Sequence, residues 1–271
     1  MKQIPGWFTS LLSVEKLSFR NNRLVKVTPD LAKLKSVTAL DAGGNLLKEF
    51  PAVLCKMHHV RHVVLDNNQI ASIIPEVEQL AASLETLDLA CNHLQEIPAF
   101  IYDFGVLAVL DVSGNKIAKL QQALGKLVSL NSLSFADNLL DELPVELGLL
   151  TNLEHLTWRG NRLRAPPEIC DGLFSVRTPT VNPRGADRTI KYFERLYKAS
   201  TRHMLMLDGF GLSTFPHELM LISTLTELSL KGNALKKLPP NIGGLVYLKK
   251  LNLENNELEA LHPSLGKLTH L

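Results

Sequence analysis

The chain has 271 residues, 45% of them hydrophobic, and 29 lysines and arginines against 27 aspartates and glutamates give a formal net charge of +2. That is enough apolar material for one or two ordinary domains or one elongated repeat domain, and the near balance of charge excludes a general nucleic-acid-binding or polybasic membrane protein. Apolar stretches are broken within a turn or two, so no segment is suited to spanning a bilayer.

After Met1 comes KQIPGWFTSLLSVEKLSF, which lacks the apolar core and cleavage site of a signal peptide. No Asn-x-Ser/Thr acceptor occurs. Cys55, Cys91 and Cys170 are unevenly spaced, which suits three buried small apolar residues in a reducing compartment rather than a bridge or a metal site. The expected location is cytoplasmic. Ile4, Pro5, Phe8 and Leu11 fit the second half of a repeat, with Trp7 and Phe8 placed to cover its edge.

From there one unit recurs. LETLDLACNHL (84–94), LAVLDVSGNKI (107–117), LTELSLKGNAL (225–235) and LKKLNLENNEL (248–258) share the frame LxxLxLxxNxL. Its asparagine falls at Asn22, Asn45, Asn68, Asn92, Asn115, Asn138, Asn161, Asn233 and Asn256, mostly 23 residues apart. The alternating LxL predicts a short strand with one buried face. The returning half, such as Leu140, Leu143, Leu147, Leu150 and Leu153, is apolar at intervals of three or four and predicts a 3₁₀ or short helical segment. Proline stands near its start at Pro51, Pro98, Pro144, Pro167, Pro216 and Pro239, where a fixed φ helps and no ladder donor is needed. One unit cannot cover its own leucines, so units must stack into an α/β solenoid. An asparagine fits the turn because its amide both donates to and accepts from backbone groups that would otherwise be buried unpaired.

These repeats resemble leucine-rich repeats, and the 23-residue LPxxLGxLxxL form is similar to the intracellular Ras-group and Ras-suppressor-like members. The resemblance covers nearly the whole chain outside about 169–200. It implies a horseshoe with a parallel β-sheet on the concave side and short 3₁₀ or helical segments on the convex side. It also implies a non-catalytic binding scaffold, of a kind often joined to kinase or GTPase domains.

The repeat is interrupted once. Phe210 stands 49 residues after Asn161 where one period takes 23, so 26 residues are inserted, and Phe210 holds the place of an asparagine. The chain therefore divides into a first arc at 1–168, an insertion at 169–200 and a second arc at 201–271. Asn161-x-Leu163-x-x-Pro166-Pro167 resembles the segment at which intracellular leucine-rich arrays end or pause before a helix. Leu173 to Arg184, with Pro179 and Pro183, reads as an intervening loop. Asp187 is placed to cap a helix carrying Ile190, Phe193, Leu196 and Tyr197 on one face. Arg188, Lys191, Arg195 and Lys198 lie elsewhere around it, either a solvated face or a second docking surface for an acidic partner or anionic head groups. After such an excursion an amide at 210 would lack backbone partners, so an aromatic is expected to seal the start of the second arc.

The residues between the inward leucines line the concave sheet. Its central column reads Ser18, Asp41, Val64, Asp88, Asp111, Ser134 and Thr157, and the column two residues on reads Arg20, Gly43, Asp66, Ala90, Ser113, Ala136 and Arg159. Arg20, Asp41, Asp66, Asp88, Asp111 and Arg159 are the candidate partner-binding residues. The small residues among the acids are expected to leave room for a partner's long basic side chains. Trp158 takes an inward leucine position and belongs to the core. His58, His59 and His62 form a solvated cluster, and no nucleophile–base–acid set, Walker loop or metal-ligand spacing is present. No catalytic residue, metal ligand or cofactor is expected. The last repeat lacks an evident cap, so the chain is expected either to continue in a longer protein or to be closed there by a partner or a second copy. The reading that results is a signalling scaffold with a protein partner. The alternatives are a regulatory or targeting module of a kinase- or GTPase-type protein, and an extracellular recognition domain.

Overall fold

Ten short strands form where the LxL triplets fall. They are β1 (Lys16–Ser18), β2 (Ala39–Asp41), β3 (His62–Val64), β4 (Thr86–Asp88), β5 (Val109–Asp111), β6 (Ser132–Ser134), β7 (His155–Thr157), β8 (Met204–Met206), β9 (Glu227–Ser229) and β10 (Lys250–Asn252), with one helix, α1 (Pro183–Arg202). The computed structural model describes residue 10, residues 12–163 and residues 183–271, without the side chains of 183–188. The described residues fall into two compact units, one within 1–140 and 152–162, the other within 141–151 and 163–271.

In the first unit β1 to β7 pair in sequence order into one parallel sheet, each register shifted by one repeat, as in Leu40 beside Val63 and Val63 beside Leu87. The middle residue of each strand points inward and is almost wholly buried, from Leu17 and Leu156 at 5% exposed to Leu87 at 0%. Each such leucine contributes roughly 1.5–3 kcal/mol, and only because the next repeat covers it. The returning halves are 3₁₀ turns: Ala52–Lys56, Ala99–Asp103 and Val145–Leu149 each follow directly on a proline. Among the described residues each returning half carries a 3₁₀ segment of five or six residues, a length suited to a short tight turn.

The asparagine ladder forms as the sequence implies. Asn45 Nδ2 donates to the carbonyls of Ala42 at 2.9 Å and Gly43 at 3.1 Å in its own turn, and to Phe19 at 3.0 Å one repeat back. Its Oδ1 accepts from Leu24 N at 2.9 Å. Asn68, Asn92, Asn115 and Asn138 repeat the pattern, and Asn233 repeats it in the second unit. The residue before each ladder position is left-handed: Asn21, Gly44, Asn67, Cys91, Gly114, Asp137, Gly160, Gly209, Gly232 and Asn255 all have positive φ. That twist swings the asparagine inward, and glycine and asparagine tolerate it best. It also corrects the reading of the cysteines. Cys55 is buried, but Cys91 is exposed at φ 52° in this turn. Cys170, together with Ile4, Pro5, Trp7, Phe8 and Leu11, lies outside the described residues.

In the second unit β8, β9 and β10 form a parallel three-stranded sheet. α1 begins at Pro183 and not behind an Asp187 cap, so Asp187 is its fifth residue and Pro183 and Arg184 belong to the helix rather than to a loop. Proline suits a first helical position because its fixed φ is helical and no N–H is wanted there. The helix ends on His203, left-handed at φ 59°, whose N–H donates to the Ala199 carbonyl. Ile190, Phe193 and Leu196 are buried as expected, with Tyr192 and Ala199 beside them. α1 packs on the turn Val145–Leu149 and on β8. The first contact is close: a Cβ on Gly148 would lie 2.1 Å from the Glu194 nitrogen. In the last repeat Leu251, Leu253, Leu258 and Leu265 are half-buried, while Leu228, Leu230, Leu235 and Ile242 one repeat earlier are buried.

Candidate functional site

The acidic column on the open face of the first sheet starts as a set of turn residues. Each aspartate at a strand end folds one oxygen back onto the N–H two residues on. Asp41 Oδ1 accepts from Gly43 N at 2.9 Å, Asp88 Oδ1 from Ala90 N at 3.0 Å, and Asp111 Oδ1 from Ser113 N at 2.9 Å and Ser113 Oγ at 2.6 Å. This Asx-type bond ends the strand and turns the chain toward its ladder asparagine. At Asp41 the other oxygen, Oδ2, accepts from Ser18 Oγ at 3.2 Å, and the carboxylates keep their charge for further partners.

At the first repeats such a partner comes from within the chain. Arg20 forks onto Asp66, Nη1 to Oδ1 and Nη2 to Oδ2 both at 2.7 Å, and reaches Asp41 Oδ1 at 3.3 Å. Asn67 Nδ2 donates to Asp66 Oδ2 at 2.6 Å. The fork passes over Gly43, where a Cβ would stand 2.2 Å from Asp66 Oδ1 and 2.4 Å from Arg20 Nη1. The small residue expected to admit a partner's basic side chain thus admits Arg20. Burial by itself would raise the Asp66 carboxyl; the Arg20 fork, the Asn67 amide and the Arg20 charge outweigh it and hold that carboxyl below its usual value. The same fork raises Arg20 above its own.

Asp88 and Asp111 stand differently. β4 and β5 place them directly side by side, and neither forms an ion pair among the described residues. Burial first, then the charges of Asp111 and Asp66, push the Asp88 carboxyl up to about 6, against the Ala90 N–H and the more distant Arg20. Arg159 lies on the exposed turn after β7, two strands beyond Asp111, and is not brought onto the acids. Trp158 is in the core, 9% exposed.

On α1, Lys191, Arg195 and Lys198 are exposed, and the Arg188 side chain is outside the described residues. Arg195 and Lys198 are engaged locally. Arg195 Nη1 donates to the Met206 carbonyl at 2.6 Å and its guanidinium lies 4.7 Å above the Phe210 ring. Lys198 pairs with Glu194 one turn back. His62 shares a hydrogen bond with Thr86 Oγ1, while His58 and His59 line an open cavity of about 600 Å³ with Glu15, Lys35, Arg61 and Glu85, a mixture of signs.

A family model described as a leucine-rich repeat region matches residues 22–173, more than half of the chain. The chain is a leucine-rich repeat protein. Among curated relatives it is 28% identical over 156 residues to Ras guanine nucleotide exchange factor V of Dictyostelium discoideum, covering 48% of this chain and 8% of that one. It is 35% identical over 91 residues to leucine-rich repeat serine/threonine-protein kinase 1 of Caenorhabditis elegans, covering 33% of this chain and 4% of that one. The matched region is thus a small part of much longer proteins. Among solved structures, a leucine-rich repeat protein of Leptospira interrogans superposes over 100% of this chain and 74% of its own, with a TM-score of 0.55 and 24% identity. The leucine-rich ectodomain of an Arabidopsis thaliana plant membrane receptor kinase covers 100% of this chain and 30% of its own, with a TM-score of 0.53 and 23% identity. These likenesses establish the fold. Leucine-rich repeat proteins generally mediate protein–protein interaction, and the fold is typically non-catalytic. No helix among the described residues is long and apolar enough to cross a membrane.

Proposed function

We propose that this chain is a non-catalytic scaffold of intracellular signalling whose sheet face, concave in leucine-rich solenoids, binds a basic segment of a protein partner at Asp88 and Asp111. The observation that carries this reading is a contrast among the acids of this sheet face. Arg20 neutralises Asp41 and Asp66, while Asp88 and Asp111, two neighbouring carboxylates on adjacent strands, receive no cation from the described residues and Asp88 ionises against its own burial. Carboxyls shifted by burial and by like charge cluster at functional sites. A partner's arginine or lysine would relieve both carboxylates and gain a charge-assisted hydrogen bond. The relatives named as a Ras exchange factor and a protein kinase favour a second form of the same reading, in which the repeats are the targeting module of a longer signalling protein.

Capture from cytosolic extract, with mass-spectrometric readout, would compare the wild type with Asp88→Lys/Asp111→Lys and with Lys191→Glu/Lys198→Glu, after circular dichroism has verified folding. Proteins lost only from the aspartate variant are the expected result. Loss only from the α1 variant would transfer the site to the helix, and an unchanged list in both would remove the sheet-face reading.

A further inference from the structure

The position of Glu218 in its 3₁₀ turn is buried at Val53 of Ala52–Lys56, where it is apolar, but elsewhere among the described residues a polar side chain there is at least partly exposed. Glu76 holds it in the turn Pro75–Leu80 and Asn241 in Pro240–Gly244, both exposed, while Asp30 and Glu146 are half-exposed in theirs. In the turn His217–Leu221 the residue is only 7% exposed. Both carboxylate oxygens are sealed from solvent and neither closes a hydrogen bond among the described residues. What lies near them is the phenol of Tyr192, carried by α1 and itself 1% exposed. Tyr192 also packs on Phe210, with ring centroids 6.0 Å apart, and the Arg195 guanidinium covers the other ring in this cluster.

We propose that α1 is a latch on the second unit gated by the protonation of Glu218, closed while the carboxyl is neutral and loosened when it is charged. A neutral carboxyl is tolerated in this enclosure. A carboxylate without a cation is not tolerated there, and lifting α1, which carries Tyr192 at its middle, brings water to it. Among the described residues the ionisable surroundings supply no compensation. From α1 come Tyr192 and Arg195, the latter committed to the Phe210 ring and the Met206 carbonyl. His217 precedes Glu218 in its own turn and is exposed, and the adjoining turn Pro240–Gly244 has no ionisable residue. The cost falls at physiological acidity: burial, opposed by the backbone and least of all by Tyr192, pushes the Glu218 carboxyl up to about 7. Since an opened latch returns it to an ordinary value near 4.5, opening becomes easier as pH rises from there to about 7 and levels off above.

Hydrogen exchange of α1 amides in the whole chain, corrected for intrinsic rates, tests this at pH 5 and pH 7.5. Protection of α1 is expected to fall by up to about a hundredfold between the two, following the linkage of the carboxyl, while amides of β9 and β10 change far less. Glu218→Gln, of the same shape and without a charge to gain, should abolish the dependence; Tyr192→Phe should keep it. Protection of α1 that is flat with pH in the wild type overturns the proposal, as does a pH dependence that survives in Glu218→Gln. A direct carbon-13 titration of Glu218 showing an ordinary carboxyl would overturn it equally.

Discussion

The guanidinium of Arg20 spans a whole strand to reach Asp66, 46 residues away in sequence, and meets both its oxygens at 2.7 Å across the bare backbone of Gly43. Arg20 is 41% exposed and Asp66 only 8% in their side chains. The aspartate therefore depends on the arginine more than the reverse. Arg20→Ala is expected to destabilise the chain by roughly 1–3 kcal/mol at pH 7, as for a buried acceptor deprived of its partner. Gly43→Ala should cost a similar amount by displacing the fork. Because Asp66 titrates below its unfolded value, this stability is fully present above about pH 4 and disappears as pH falls through the folded carboxyl's lower value. Urea unfolding at pH 7 and pH 3 checks it: a wild type-to-variant gap as large at pH 3 would show that packing, not the ion pair, is responsible.

Asp88 has the opposite sign. Its carboxyl is raised to about 6, chiefly by burial and then by Asp111 and Asp66, so the folded state is penalised for ionising it. The penalty is absent below about pH 4, grows as pH rises to 6, and is complete above. Asparagine keeps an oxygen for the Ala90 N–H and has no charge. Asp88→Asn is therefore expected to stabilise the chain by about 1–2 kcal/mol at pH 7.5, after allowance for solvent screening, with no gain near pH 4. Thermal unfolding across that range measures it. Equal stability at pH 7.5 would mean that Asp88 is already compensated and would remove the main physical support for a binding role.

How much of this could be read from residues depended on distance. Each repeat meets only its neighbours, and it meets them in the same way every time. The 23-residue period therefore placed every strand, the inward leucines and the asparagine ladder. The left-handed residue before each ladder asparagine was equally visible as a column of Gly, Asn and Asp, with Cys91 as its exception, and overlooking that column led to Cys91 being taken as buried. The start of α1 was misplaced because Asp187 is a good cap in isolation, whereas Pro183 can open the helix four residues earlier. The acidic column was legible as charge but not as geometry. Nothing local says that Arg20 will skip a strand to Asp66, or that α1 will cover Glu218 while leaving Glu76 in water, since both follow from which repeats are brought side by side.

Phe210 is where the ladder stops and restarts. A ladder asparagine donates to the carbonyl 26 residues back and accepts from the N–H 21 residues back, as Asn233 does with Leu207 and Leu212. For position 210 no such turn precedes among the described residues: β8 is the edge strand of its sheet and α1 packs against it, with its backbone groups already paired within the helix. An asparagine there would bury an amide with half its partners missing, and it would lose the Tyr192 ring and the Arg195 guanidinium stacked on Phe210. Phe210→Asn is thus expected to cost about 3–5 kcal/mol, as for emptying a buried aromatic site, with little relief from the polar side chain. Phe210→Leu should cost about 1–2 kcal/mol, since it keeps most of the apolar fill and forfeits only the ring contacts. Chemical denaturation of the two variants separates the accounts. If asparagine is tolerated as well as leucine, the amide has found backbone partners and the ladder is continuous through position 210; if it is the worse by 2 kcal/mol or so, the aromatic is there because the helix leaves the ladder nothing to bind.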